Sequence, residues 1–136
     1  MATLTTVDGL QYSFNPKTIA VIADHDASTG ESVTCLYGIT NGTLKIGESV
    51  QEFMSRVHIN ANFAQFTRPN GSPVWINGSS VSAVRAPLQD EYISAVNALV
   101  FTSALTRLVF TSALTQGVKE SPSNAMSALN AHGGDL

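Results

Sequence analysis

Short apolar runs broken by Gly, Pro, Asn and Asp dominate this chain. In the first half, residues 4–6, "QYSFN" (11–15), "KTIAVIAD" (17–24) and "VTCLYGI" with "TLKI" (33–46) have the β-branched and aromatic content of strands. Val7-Asp8-Gly9 and Asn41-Gly42 between them are turn signals, because Asp or Asn followed by Gly supplies positive φ. The period then changes. Val50, Phe53, Met54 and Val57 fall at i, i+3, i+4 and i+7, one face of a helix, and Ser49 followed by Glu52 is a capping box. The second half reads alike: residues 66–67, a Pro69-Asn70-Gly71 turn, "PVWIN" (73–77), "SVSAVRA" (80–86), a long Val/Phe/Thr-rich segment, and a helix capped by Ser121 with Pro122 at its first position. Ala125, Met126 and Leu129 would share that helix's inner face, while "ASTGES" and "PLQDEY" are loops.

Aligning the chain with itself explains the likeness. At an offset of 62, Thr5 meets Thr67, Asp8 meets Asn70, Gly9 meets Gly71, and Phe14-Asn15 meets Ile76-Asn77. At an offset of 72, Ile46 meets Val118, Glu48-Ser49 meets Glu120-Ser121 and Met54 meets Met126. Much of the growth in offset is accounted for by a local duplication, LVFTSALT at 99–106 and again at 108–115. The pattern predicts a mainly β, β-rich α+β fold of two homologous small modules packed together, each of about four antiparallel strands plus a short C-terminal helix. The modules span 1–57 and 63–130, the second carrying the duplication at about 99–116. Residues 58–62 ("HINAN") are a linker and 131–136 a flexible tail. The duplicated unit is nine residues long, so Leu99 and Leu108 would face opposite sides of one continuous strand. The chain must bulge, turn near Thr106-Arg107, or pair differently on each face. A helix over 93–115 is the rival reading; the Val, Phe and Thr content favours strand. A strand segment the module does not need is a candidate for exchange between subunits.

Composition adds one constraint. Asp, Glu, Lys and Arg make up 12% of the 136 residues, against about 25% in ordinary domains. So little charge on an ordinary apolar content suits a surface partly covered by copies of the same chain. The formal charge is −3, and the seven basic residues form no run, so the sequence offers no cationic patch for nucleic acid. Cys35 is the single cysteine and sits in a strand pattern as a buried, inert thiol. The N-terminus lacks the basic and apolar regions of a signal peptide, and no apolar stretch is long enough for a membrane helix. The expectation is a soluble protein, cytoplasmic or assembled into a larger particle from the cytoplasm, without a membrane partner.

Candidate chemistry is sparse. Asp24-His25-Asp26 could bind a metal or do acid–base work, but three consecutive loop side chains seldom converge, and the aligned residues Ala86-Pro87-Leu88 carry no ligand. There is no His or Cys pair at metal-ligand spacing, no phosphate loop and no Gly-x-Ser-x-Gly elbow. Three Asn-Gly-Thr/Ser triplets read as turns. No catalytic, cofactor or metal residue is assigned, and the expectation is a non-enzyme. The residues singled out for an interface are Trp75, Arg68, Arg85, Arg107, Phe101 and Phe110. Val74 and Ile76 share one strand face, so Trp75 should point the other way, toward a partner or a ligand.

Thr67, Arg68, Asn70, Gly71, Ile76, Asn77, Val118, Glu120 and Ser121 together resemble the plan of the FlbD/SwrD-type small flagellar and swarming-motility proteins. The first half keeps Thr5, Gly9, Asn15, Ile46, Glu48 and Ser49 but has Thr6 in place of the Arg. The resemblance implies a small, non-enzymatic, β-rich protein that works through contacts. The low charge, Trp75 on the face opposite Val74 and Ile76, and the strand duplication make the expected function that of a non-catalytic, homo-oligomeric assembly or protein-interaction protein built from a tandem repeat. The alternative is binding of a nucleotide-like anion or single-stranded nucleic acid through Trp75 and nearby arginines.

Overall fold

A computed structural model describes residues 2–26, 29–40, 42–89, 95–105 and 113–136. Among these the first half holds β1 (Ala2–Thr5), β2 (Gln11–Phe14), β3 (Val21–Ala23), β4 (Thr34–Tyr37), β5 (Leu44–Ile46) and α1 (Val50–Arg56). The second holds β6 (Phe63–Thr67), β7 (Pro73–Asn77), β8 (Val81–Arg85), β9 (Ala98–Leu105), β10 (Ala113–Val118) and α2 (Pro122–Asn130). The fold is β-rich α+β, as expected. Each half has five described strands rather than about four, because the short return strands β5 and β10 pair in their own right.

The turn chemistry acts where it was read. Thr6 N–H donates to Leu10 O (2.8 Å) and Gly9 N–H to Thr6 O (3.0 Å), closing the β1–β2 hairpin with Gly9 at φ +92°. Arg68 N–H to Ser72 O (2.8 Å) and Gly71 N–H to Arg68 O (2.9 Å) close β6–β7 in the same way, with Gly71 at φ +91°. Each hairpin ends on an Asn whose side-chain oxygen caps a 3-10 turn: Asn15 accepts from Lys17 N, and Asn77 from Ser79 N. Ser49 and Glu52 form both hydrogen bonds of the capping box on α1, and Ser121 caps α2 by accepting from Asn124 N.

The halves are joined through one sheet of order β5-β4-β3-β7-β6; β10-β9-β8 and β1-β2 form the other two. At the joint, Val21 lies opposite Ile76, Ile22 opposite Trp75 and Ala23 opposite Val74, antiparallel. This five-stranded sheet has a core on each face. Ile22, Leu36, Leu44 and Trp75 face one cluster, closed by Phe14, Val50, Phe53 and Met54. Val21, Ala23, Phe66, Val74 and Ile76 face the other, closed by Val100, Val118, Ala125 and Leu129. Burying apolar area on both faces, at about 25 cal/mol per Å², is the main favourable term for so small a chain.

Of the duplicated unit, residues 99–105 lie in β9 and 113–115 in β10, antiparallel to it, which is the strand reading for those residues; Arg107 and Phe110 lie outside the described residues. Leu99 sits opposite Gly117 as Cys35 sits opposite Lys45, and Ala98 opposite Val118 as Thr34 opposite Ile46. β9 and β10 continue past the point where β4 and β5 stop pairing, with Phe101 opposite Thr115 and Leu105 opposite Ala113, and a register shift falls between Ala113 and Thr115.

Some expectations are corrected. "KTIAVIAD" is not one strand: Asn15 and Pro16 wind Pro16–Thr18 into a 3-10 turn before β3 begins. "SVSAVRA" likewise starts in the turn Gly78–Ser80. The linker contains the 3-10 turn Asn60–Asn62, and its Ile59 is buried in the first core. Met126 is 38% exposed, because the inner stripe of α2 is carried by Ala125 and Leu129, one turn apart. The last residues are tied back, Gly134 N–H donating to Leu129 O (2.9 Å) and Leu136 N–H to Asn130 Oδ1 (2.9 Å). Gly78 permits this end to dock, since a Cβ there would lie 2.5 Å from the carbonyl oxygens of Leu129 and His132.

Asn77 is 2% exposed and ties both sides of the joint, its Nδ2 donating to Ile19 O (2.9 Å) and its N–H to Ala20 O (2.9 Å). Asn77→Ala is expected to lower the unfolding free energy by about 1–3 kcal/mol, the cost of stranding a buried carbonyl. Asn15→Ala should cost about 1 kcal/mol or less, because its cap is exposed. Urea unfolding of the two variants compares them; equal losses would remove the joint from this account.

Candidate functional site

Edge strands present unpaired backbone groups to whatever can pair with them. Among the described residues, β3 is paired on both sides, by β4 and β7, and all three of its residues are at most 1% exposed. β8 occupies the matching place in the second half but pairs with β9 alone; Ser82 and Ala83 are exposed, and Val81, Val84 and Arg85 half-buried. The two hairpins differ in the same sense. β7 is buried from Val74 to Asn77, whereas β2 pairs with β1 alone and exposes Gln11 and Ser13. Each half thus carries one open edge whose counterpart in the other half is covered.

The residues singled out from the sequence do not form one site. Trp75 was expected on an interface or ligand face. It is instead 8% exposed inside the first core, because the opposite face of its strand is covered as well. Arg68 is 5% exposed and lines a cleft of about 420 Å³ with Val21, Tyr37, Pro69, Asn70 and Gln116, on the side of the second core. Arg85 belongs to the three-stranded sheet, its Cζ 5.1 Å from the Phe101 ring centroid. The structure therefore brings Arg85 and Phe101 together, while Arg68 lines its cleft and Trp75 sits in the first core.

Arg68 Nη1 donates to His25 O (3.0 Å), and Tyr37 lines the same cleft. No described carboxylate lies within ion-pair distance of it. Tyr37 and Gln116 were missed from the sequence, since strand apolarity gave no sign that β4 and β10 would place them beside Arg68. Glu120 was noted only as a motif residue; its carboxylate accepts from Thr67 N–H (3.0 Å) and Oγ1 (3.1 Å), stapling β6 to the entry of α2.

The Asp24-His25-Asp26 loop is more connected than its sequence suggested. Asp24 Oδ1 is 2.8 Å from His25 Nδ1, and His25 Nε2 is 3.0 Å from Ser32 Oγ. This is the connectivity of a nucleophile–base–acid relay. The His25 and Asp24 side chains are more than a third exposed and Ser32 is exposed, so water competes for each bond. Asp26 turns away and pairs with Lys45 (2.8 Å), which also reaches Glu31 (3.2 Å); both bonds hold the Lys45 ammonium well above its ordinary range. Among the described residues no three His, Cys, Asp or Glu side chains gather as a metal would require. No described helix is long and apolar enough to cross a membrane.

Fold and geometry together define a β-rich α+β protein in which, among the described residues, β8 and β2 each pair on one side while β3 and β7 pair on both, with Arg68 lining a cleft beside them. The chain matches no family model, no curated protein and no solved structure.

Cys35 is wholly buried, and burial, reinforced by Asp26, raises its thiol above the ordinary 9.0. Burial likewise raises Tyr37, with Cys35 adding and Arg68 opposing. Both groups keep their protons to higher pH in the folded chain than in the unfolded one. Stability is therefore fully present below pH 9.0 and falls as pH rises beyond it. Urea midpoints at pH 7.5, 9 and 10 should show this decline, and Cys35→Ala should delay it toward the tyrosine range; a midpoint rising with pH would contradict the assignment.

Proposed function

We propose that this is a non-catalytic assembly protein built from a tandem repeat, which works as a homo-oligomer through its sheet edges. The observation that carries the reading is the contrast, among the described residues, between β3, paired on both sides, and β8, paired on one, matched by that between β7 and β2. Equivalent turns, caps and strand registers in the two halves support a repeat, and the low charge supports contact between copies. The resemblance to small motility proteins agrees with a role exercised by contacts. The solvent-open relay at Ser32 is read as a tie for its loop.

Light scattering at micromolar concentration is expected to give a multiple of 14.4 kDa. A strict monomer would refute the reading. So would turnover of p-nitrophenyl acetate that disappears in Ser32→Ala.

One observation favours a second reading, anion binding at the Arg68 cleft. A guanidinium so buried, with only neutral partners among the described residues, is stabilised by a small anion. Inorganic phosphate or acetate at millimolar concentration should then raise the melting temperature of the protein, and Arg68→Gln should abolish the rise. An identical rise in the variant would dismiss the cleft.

A further inference from the structure

The β3–β7 joint is built from backbone groups whose direction can be traced, and the chain carries the same two edges a second time. In the first hairpin Thr6 N–H donates to Leu10 O, so Leu10, Tyr12 and Phe14 turn their backbone groups toward β1. Gln11, Ser13 and Asn15 turn theirs outward. In the second hairpin Arg68 N–H donates to Ser72 O, which sets the same alternation. Val74 and Ile76 face β6, while Trp75 and Asn77 face β3, and the bond from Asn77 N–H to Ala20 O is the direct instance. Ser13 therefore presents its backbone as Trp75 does, and Val84 stands in β8 where Ile22 stands in β3.

We propose that β8 of one copy takes β2 of a second copy as its antiparallel neighbour. Ala83 would lie opposite Phe14, Val84 opposite Ser13 and Arg85 opposite Tyr12. The pairing between chains thus reproduces the one within a chain, where Val21 meets Ile76, Ile22 meets Trp75 and Ala23 meets Val74. It rests on the assembly reading above and names its surface. A second copy fits better than an unrelated strand, because the register already exists in this sequence. Asn15 is held in the same cap as Asn77. Its amide Nδ2 would reach the Val81 carbonyl as that of Asn77 reaches Ile19. Side chains agree as well. Small Ala83 meets large Phe14, and Arg85, which already lies over Phe101, gains a second aromatic partner in Tyr12.

Two consequences follow from the differences between the joints. Ser13 replaces Trp75, so the joint between chains buries less apolar surface and is reversible where the internal one is permanent. The two edges are also unlike, which makes the contact heterologous. Each added copy leaves one β2 and one β8 open, and growth ends only when a ring closes or continues as a filament.

Two single variants test this, Ser13→Cys and Val84→Cys. Paired antiparallel residues lie about 4.5–5.5 Å apart at Cα, within disulfide reach. Each variant is oxidised alone, and both are oxidised after being refolded together; Cys35 is buried and stays out of the exchange. The expected result is a disulfide-linked dimer in the mixture alone. Ser13→Pro, which removes an outward N–H and leaves the β1–β2 ladder intact, should reduce the mass to 14.4 kDa with an unchanged circular dichroism spectrum. Cross-linking of either variant with itself would overturn the proposal in favour of a symmetric contact. No cross-link in a protein that still scatters as an oligomer would overturn this joint and leave assembly to another surface. A monomeric wild type would overturn the assembly reading, and this joint with it.

Discussion

Everything in this molecule hangs on the pairing of β3 with β7. Three residue pairs and the Asn77 amide hold it, and through it two sets of elements share one sheet. Without that contact neither half closes its core. Trp75 comes from the second half and fills the cluster of the first; Val21 and Ala23 come from the first and fill that of the second. The exchange is reciprocal, so each half supplies the missing wall of the other. Units of roughly 60 residues are marginal alone, and sharing a sheet with two buried faces offsets that weakness.

β3 and β7 each have two strand neighbours, whereas among the described residues β8 pairs with β9 alone and β2 with β1 alone. The composition of β8 and β2 is intermediate: Ser13 and Arg85 make them less apolar than β7 and β3, while neither strand carries the lysines or prolines that commonly blunt an edge. The nine-residue duplication falls on β9 and β10, outside β2 and β8. The Arg68 cleft lies beside the joint, which links any ligand there to the contact between the halves.

Much of the local structure was legible in the sequence, because it rests on chemistry confined to a few neighbouring residues. The Asp8-Gly9 and Asn70-Gly71 turns, the Ser49–Glu52 box and the Ser121-Pro122 start were all readable, since each depends on one φ angle or one short-range hydrogen bond. The misses share a cause. Trp75 was assigned to an outer face because alternation identifies which residues share a face and is silent on whether the opposite face is covered. Met126 was assigned inward on a helical stripe whose width is set by the neighbouring elements.

What the sequence determined by itself was the order of elements, their caps and turns, and the likeness of the two halves. Tertiary structure alone decided that β3 takes β7 as its neighbour. It decided that both faces of the resulting sheet are buried, that Arg68 and Tyr37 line one cleft while Arg85 meets Phe101, and that Asp24, His25 and Ser32 join in one chain of hydrogen bonds. The reason is range. Turns and caps are settled by interactions within about four residues. Pairing between strands tens of residues apart is settled by which edge buries the most apolar surface, and that becomes defined only once every other strand is in place.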